Sequence, residues 1–420
     1  MAGGRIPLSY AYPQENLFIS AVKDMKKNSE EEVMFGLTEE QLMVKDMCRG
    51  FAEKELREQA VEIDKSHKFP LETTKKMAGL GLLGIVYPGD YNGADMDYVS
   101  YAIAVEEISR VCASSGTIVS AHNSLCVSPI YYFGTEEQKK KYLPKLCSGE
   151  HIGAFAITEP NAGSDSGGTA ANAMKDGDGY ILNGTKNFIT NGEYADIHVT
   201  LAVTDKGGKK NKNTSMFIIE KGDPGFSVGK VEEKLGICAS STTEMVYEDC
   251  KIPADRLLGN PGEGFKIAMH TLDGGRVGIA AQALGIAQAA LDEAAKYAHE
   301  RVQFDAPIGR LQSIQNMLAD MATEIEAARL LVYKSAAMLD KYGADRRPVS
   351  KNAAMAKLYA SEVATRCAHK CIQIHGGYGY VKEYIAERLY RDARITEIYE
   401  GTSEIQRLVV AANVLAEYAE

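Results

Sequence analysis

The chain has 420 residues, 45% of them hydrophobic and 25% charged, with a formal net charge of −10. That length is too great for one compact core, so two or three domains are expected. The acidic balance leaves no basic surplus to neutralise phosphates, which argues against nucleic acid as a main partner.

Cysteine usage and the N-terminus narrow the setting. The eight cysteines (Cys48, Cys112, Cys126, Cys147, Cys238, Cys250, Cys367 and Cys371) include no C-x-x-C pair and read as reduced thiols. No apolar run approaches the roughly 20 residues that a membrane span needs. The start, MAGGRIPLSYAYPQENLF, has neither the apolar core of a signal peptide nor the Arg/Ser-rich bias of a transit peptide. A cytoplasmic protein of bacterial type, with no membrane insertion, is the expectation.

In chain order, residues 1–35 read as an irregular extension ending in the mixed-charge run KDMKKNSEEE. Thr38 then opens a capping box, T-E-E-Q, and apolar residues at near-helical spacing follow, so 36–152 reads as an α-helical domain. From 153 to 262 the texture is that of a β domain. Apolar runs at 180–192, 197–205, 216–226 and 243–253 alternate with turn residues, and Asn-Gly at 183–184 and 191–192 is strong turn chemistry. Helix returns over 263–420, where Ile314, Leu318, Met321, Ile325 and Ala328 recur at steps of three and four, as in the seam of a helical bundle. The expected fold is α+β and multidomain: helical, then β, then a four-helix bundle.

Several motifs have competing explanations. The G-x-G-x-x-G at 79-GLGLLG-84 lacks the preceding strand that a dinucleotide site requires, and a glycine turn closing a helix explains it better. Cys367, Cys371 and His375 fall on one helix face, but no fourth ligand has sensible spacing, so core packing is favoured over a metal site. Glycines 376, 377 and 379 mark either a helix stop or a close approach of backbone to a ligand. The segment 153-GAFAITEPNAGSDSGG-168 is dense in small donors and suits a flat polar cofactor, or simply links two domains. In 395-ITEIYEGTSEIQRL-408, Ser403 and Gln406 have capping-box spacing, which places a helix start near residue 404. Glu400 then lies just before a helix N-terminus, either as a dipole-stabilised carboxylate or as a general base. The dipole would hold its pKa at or below about 4.3, and a bound apolar substrate that excludes water would raise it.

Taken together, 158-TEPNAGSD-165, 187-NFITNG-192, 272-LDGGRVGIAAQALGIAQ-288, 301-RVQFDAPIGRLQSIQ-315, 373-QIHGGYGY-380 and 398-IYEGTSEIQR-407 resemble the acyl-CoA dehydrogenase family over about residues 36–418. The resemblance is nearest to its short-chain, butyryl-type members. It implies an enzyme that converts a short acyl-CoA to the trans-2-enoyl-CoA, with FAD held between the β domain and the C-terminal bundle. Glu400 would take the α-proton while the β-hydrogen leaves as hydride to the flavin N5. Electrons would pass to an electron-transferring flavoprotein. A homotetramer, built as a dimer of dimers, is also implied.

The resemblance places the site residues as follows. Phe155, Ala156, Ile157 and Thr158, with Gly163 and Ser164, match the cofactor wall of the β domain, as do Phe188, Ile189 and Thr190. Many relatives carry tryptophan where Phe188 stands. Arg301, Gln303, Phe304 and Gln312 match positions that reach the FAD of a neighbouring subunit, together with Gln373, Ile374, His375, Gly376 and Gly377. Thr402, Ser403 and Glu404 would present N–H groups to the pyrophosphate. On the substrate side stand Ser164, Asp273, Gly274, Gly275, Arg276, Tyr399 and Gly401. Subfamilies such as the isovaleryl type carry their base in the LDGGR helix, where this chain has glycine, leaving Glu400 as the base. Four alternatives remain open: an enoyl-CoA reductase running in reverse, a branched, cyclic or arylpropionyl substrate, an acyl-CoA oxidase, and a flavin-free CoA-thioester binding subunit or hydratase.

Overall fold

The computed structural model describes residues 36–419, so the extension at 1–35 lies outside the described residues. Thr38 caps the first helix, α1 (Glu39–Phe51), in the expected reciprocal fashion: Gln41 N–H donates to Thr38 Oγ1 at 3.2 Å, and Thr38 N–H to Gln41 Oε1 at 3.0 Å. Six further helices follow: α2 (Arg57–Ser66), α3 (Leu71–Gly79), α4 (Tyr98–Val111), α5 (Ala113–Ala121), α6 (Ser128–Phe133) and α7 (Glu136–Cys147). GLGLLG is the turn that closes α3, with Gly81 at φ +78° and no strand before it.

The β region forms one sheet from β1 (Gly153–Ala156), β2 (Asn172–Asp176), β3 (Gly179–Thr190), β4 (Ile197–Val203), β5 (Thr214–Glu220), β6 (Phe226–Val231), β7 (Thr242–Ile252) and β8 (Leu257–Leu258). The strand order is β6-β7-β3-β2-β4-β5-β8, with β1 parallel to β4. The apolar run of β5 has a simple cause. Met216 and Ile218 face a core shared with Leu125, Ile130, Leu146 and Ile267 of the helices, whereas Phe217 and Ile219 face a second core with Leu182, Met245 and Tyr247. Both faces of this strand are buried, so its sequence does not alternate.

One turn expectation is corrected. Asn183–Gly184 is not a turn but a bulge inside β3, where the register against β7 shifts. Gly184 has φ +139°, and a Cβ there would meet Ala171 at 2.6 Å. Asn183 instead exchanges hydrogen bonds with Asp249 on β7. Asn191–Gly192 does turn the chain, with Asn191 at φ +65°.

After β8 come three long helices, α8 (Gly264–Glu300), α9 (Gln312–Tyr342) and α10 (Arg347–His375), then the shorter α11 (Ala386–Arg394) and α12 (Ser403–Glu417). Between α8 and α9, the hairpin of β9 (Val302–Gln303) and β10 (Ala306–Pro307) projects Phe304 into solvent, 88% exposed. Of the seam residues, Ile314, Met321, Ile325 and Ala328 are buried and Leu318 is half-buried. Cys367, Cys371 and His375 are packed inside, with the His375 ring stacked on Tyr297 at 4.2 Å. No helix among the described residues is long and apolar enough to cross a membrane.

Candidate active site

The end of β3 presents an aromatic side chain outward. A register shift between Lys186 and Ile189 forces Phe188 to φ +59°, which leaves its side chain 61% exposed while Ile189 turns into the core. Asn187 N–H donates to the Thr158 carbonyl at 2.8 Å, so the 155–158 segment runs beside this edge. Phe155 and Ala156 are buried; Ile157, Thr158 and Thr190 are half-buried; Gly163 and Ser164 are exposed.

Two buried residues that the sequence did not single out hold this segment. Glu159 accepts from Thr169 Oγ1 (2.7 Å) and from the Ala170 and Ala171 N–H groups (2.7 and 3.1 Å). Lys186 Nζ reaches Glu159 Oε1 at 2.7 Å, Thr169 Oγ1 at 2.9 Å and the Ile157 carbonyl at 3.1 Å. Burial lowers the Lys186 pKa to about 8, offset by Glu159. Burial acts to raise Glu159, but the Lys186 ammonium overrides it and leaves the carboxyl below its usual range. The segment 153–168, a linker or a cofactor wall on its sequence, is therefore anchored by these contacts from Ile157 to Ala171.

Glu400 lies in the connection between α11 and α12. It adopts φ +53° and Gly401 φ +91°, consecutive left-handed residues that reverse the backbone. A non-glycine residue there is strained unless its surroundings hold it. Gln406 Nε2 donates to both the Glu400 and Gly401 carbonyls at 3.0 Å, and Lys357 Nζ donates to the Gly401 carbonyl at 2.6 Å. This corrects the expected capping box. Thr402, not Ser403, caps α12, its Oγ1 accepting from Ile405 N–H at 3.3 Å, because Gln406 is turned inward to the reversed loop.

The Glu400 carboxyl is directed at α8. A Cβ built on Gly275 would stand 2.1 Å from Glu400 Oε2 and 2.9 Å from Leu125 Cδ2. Oε2 is buried without a hydrogen-bond partner. Burial pushes the carboxyl pKa up to about 8, against the pull of Lys357 and Arg276. The value lies above the ordinary one, not at or below it as the helix dipole suggests, because burial is the largest influence on this carboxyl. On the same helix Arg276 pairs with Asp273, and both are buried. Burial raises Asp273 in spite of that guanidinium. The neighbouring Tyr399 donates its hydroxyl to Gln282, whose Nε2 bonds Thr117 Oγ1 at 2.6 Å, so the residue before Glu400 is tied to α8 and α5.

A third group of expected residues gathers elsewhere. Arg301, Gln303, Ile374, His375, Gly376 and Gly377 line a cavity of about 590 Å³ with Tyr297 and Tyr378, and the Arg301 guanidinium lies over the Tyr378 ring at 5.5 Å. Gln312 and Gln373 are exposed nearby in sequence but do not line it. Gly376 has φ +60° and ends α10, and a side chain at Gly376 or Gly377 would meet nothing within 4 Å. Helix stop and open approach therefore coincide. The cavity shares no lining residue with the surroundings of Glu400. Ser403 is buried beneath the start of α12, with Thr402 half-buried and Glu404 exposed.

The donor set fits a flat, phosphate-bearing cofactor: an exposed ring at Phe188, hydroxyls at Thr158, Ser164 and Thr190, a guanidinium that lines one cavity with Gly376 and Gly377, and a helix N-terminus after Glu400.

The chain is similar to known proteins over most of its length. Residues 38–150 match the family description "Acyl-CoA dehydrogenase, N-terminal domain", 154–250 the "middle domain" and 262–415 the "C-terminal domain". The chain is 54% identical to "Acyl-CoA dehydrogenase, short-chain specific" of Clostridium acetobutylicum, over 90% of this chain and 99% of the relative. Among solved structures it is similar to butyryl-CoA dehydrogenase from Megasphaera elsdenii, with TM-score 0.88 and 47% identity over 91% of this chain and 100% of that one. It is also similar to a chain from a structure described as "Electron transferring flavoprotein of Acidaminococcus fermentans", with TM-score 0.89 and 51% identity over 91% and 100%.

Proposed function

The chain belongs to the acyl-CoA dehydrogenase family of FAD-dependent oxidoreductases, and from that premise we propose that it oxidises a short-chain acyl-CoA to its trans-2-enoyl-CoA with Glu400 as the base. The observation that carries the reading is the buried, unpartnered Glu400 Oε2, set against a glycine and with a pKa of about 8. A base is most effective when its pKa lies near the working pH.

In this reading Glu400 Oε2 accepts the α-proton of the thioester, and the reversed backbone at 400–401 directs carboxyl and N–H toward the same substrate. The Glu400 N–H lies outside the helices and is the donor this chain offers to the thioester oxygen as negative charge develops there. Arg276 and Asp273, with Gly274, Gly275, Ser164, Tyr399 and Gly401, hold the CoA thioester. FAD, when bound, supplies the acceptor for the β-hydride. Its ring would lie against Phe188, Thr190 and the 155–158 segment. Arg301, Gln303 and the 374–377 run, whose cavity stands apart from Glu400, would serve the FAD of a second copy, and Phe304, Gln312 and Gln373 are assigned to it with them on the family resemblance. That sharing requires an oligomer of at least two copies, and a homotetramer, a dimer of dimers, is the form proposed. The three domains are read as 36–152, 153–262 and 263–420.

The acyl length rests on the similarity to short-chain and butyryl-CoA dehydrogenases. The electron partner, an electron-transferring flavoprotein, is supported by the related chain found in a structure of that name. A cytoplasmic location completes the proposal.

The test is an anaerobic spectral titration of the yellow protein with butyryl-, isovaleryl-, octanoyl- and phenylpropionyl-CoA. Fast bleaching by butyryl-CoA alone is expected. Bleaching by a bulky thioester instead would overturn the short-chain assignment, and no bleaching by any of them would overturn the reaction.

A further inference from the structure

Helix α10 brings a second charged group to the loop that carries Glu400. Lys357 is fully buried, one of the largest side chains so enclosed. A buried ammonium is costly unless opposite charge and hydrogen bonds compensate it. Its hydrogen bond goes to a neutral group, the Gly401 carbonyl, at 2.6 Å. The charges bearing on it are Glu400 first, then Arg276 of α8, Glu397 before the loop and Glu404 of α12. Glu400 in turn faces Lys357 from α10 and Arg276 from α8, with the hydroxyls of Tyr101 on α4 and of Tyr399 beside it. Arg276 is already engaged by Asp273. The ammonium of Lys357 is the larger of the two positive influences on Glu400, with Arg276 second.

We propose that Lys357 is a positioning residue for the base and its buried countercharge: the ammonium, held on the carbonyl one residue beyond Glu400, fixes the left-handed reversal at 400–401 and stabilises the ionised carboxylate in its desolvated seat. The proposal rests on the assignment of Glu400 as base. Burial drives the two groups toward each other on the pH scale, Glu400 up to about 8 and Lys357 down to about 8, and each is the strongest opposite charge acting on the other. Such a pair titrates as a unit. Gln406 acts on the same two carbonyls without charge, so geometry and electrostatics can be separated by substitution.

The experiment follows the Glu400 carboxylate band by difference infrared spectroscopy against E400Q across pH, in flavin-loaded protein. In K357M the midpoint should rise by about one to three units, the effect of removing an adjacent opposite charge. K357R should stay near the wild-type midpoint, and Q406L should slow flavin reduction without moving it. A folded K357M with the wild-type midpoint would overturn the proposal. The reciprocal measurement needs no change at Lys357. The ¹⁵Nζ resonance of Lys357 should titrate at lower pH in E400Q than in wild type, and an unchanged titration there would also overturn it. Neither readout depends on turnover. A wild-type protein that bleaches with no acyl-CoA would refute the proposed reaction while leaving this test in force.

Discussion

Glu400 Oε2 occupies the space that a side chain at position 275 would need: a Cβ on Gly275 would lie 2.1 Å from it. The glycine on α8 and the carboxylate on the loop after α11 are thus a matched pair, 125 residues apart in sequence. Gly274, one residue earlier, has no such neighbour; a Cβ there meets nothing within 4 Å.

That difference gives a paired prediction. G275A should displace the carboxylate and lower the rate of flavin reduction by about 100-fold, the scale of an ångström-level misplacement. G274A should leave the carboxylate in place, because no protein atom lies within 4 Å of the added methyl. Since Gly274 is assigned to the thioester, its effect should fall on the affinity for butyryl-CoA, with the rate at saturation within about threefold of wild type. Stopped-flow reduction with butyryl-CoA compares the two. Equal rates in both variants would refute the pairing.

The pH dependence follows from the raised pKa of Glu400. The reacting form is the carboxylate, so the protonated form dominates below the shifted pKa and is inactive. Flavin reduction by substrate should therefore rise with pH through a midpoint near 8. A rate independent of pH from about pH 6 to about pH 9 would contradict this assignment.

Different parts of this account were legible in the sequence to different degrees. The helical–β–helical order followed from periodicity, whereas Glu400 was placed before a helix N-terminus and its role as base came from the family resemblance. The roles of Lys357, Gln406, Lys186 and Glu159 did not. An isolated lysine in a helix or a strand reads as solvated, and only tertiary packing shows that Lys357 and Lys186 are fully buried. Gln406 had the spacing of a capping box, but the left-handed turn at 400–401 leaves two carbonyls in need of donors, and that need takes precedence. Asn183–Gly184 departs from the expected turn because Asn-Gly suits a bulge with a left-handed partner at Asp249 as well as it suits a turn.

The Lys186–Glu159 pair should matter for stability. K186M leaves a buried carboxylate whose charge is uncompensated, and should cost about 3–5 kcal/mol. E159Q/K186M should cost less than K186M alone. Chemical denaturation of the three proteins gives the values, and a K186M variant with wild-type stability would show that the ion pair does not secure the loop.

Arg301 should govern cofactor retention. R301A is expected to weaken FAD binding by about 10- to 100-fold, the loss of one charge-assisted contact. The ratio of flavin to protein absorbance after gel filtration measures it. Full occupancy in R301A would remove this residue from the phosphate site.

The most direct test of the central claim is anaerobic mixing of butyryl-CoA with flavin-loaded E400Q beside wild type. The account predicts that wild type loses its flavin absorbance rapidly, while E400Q binds the thioester and keeps its yellow colour. Bleaching of E400Q at the wild-type rate would show that Glu400 is not the base.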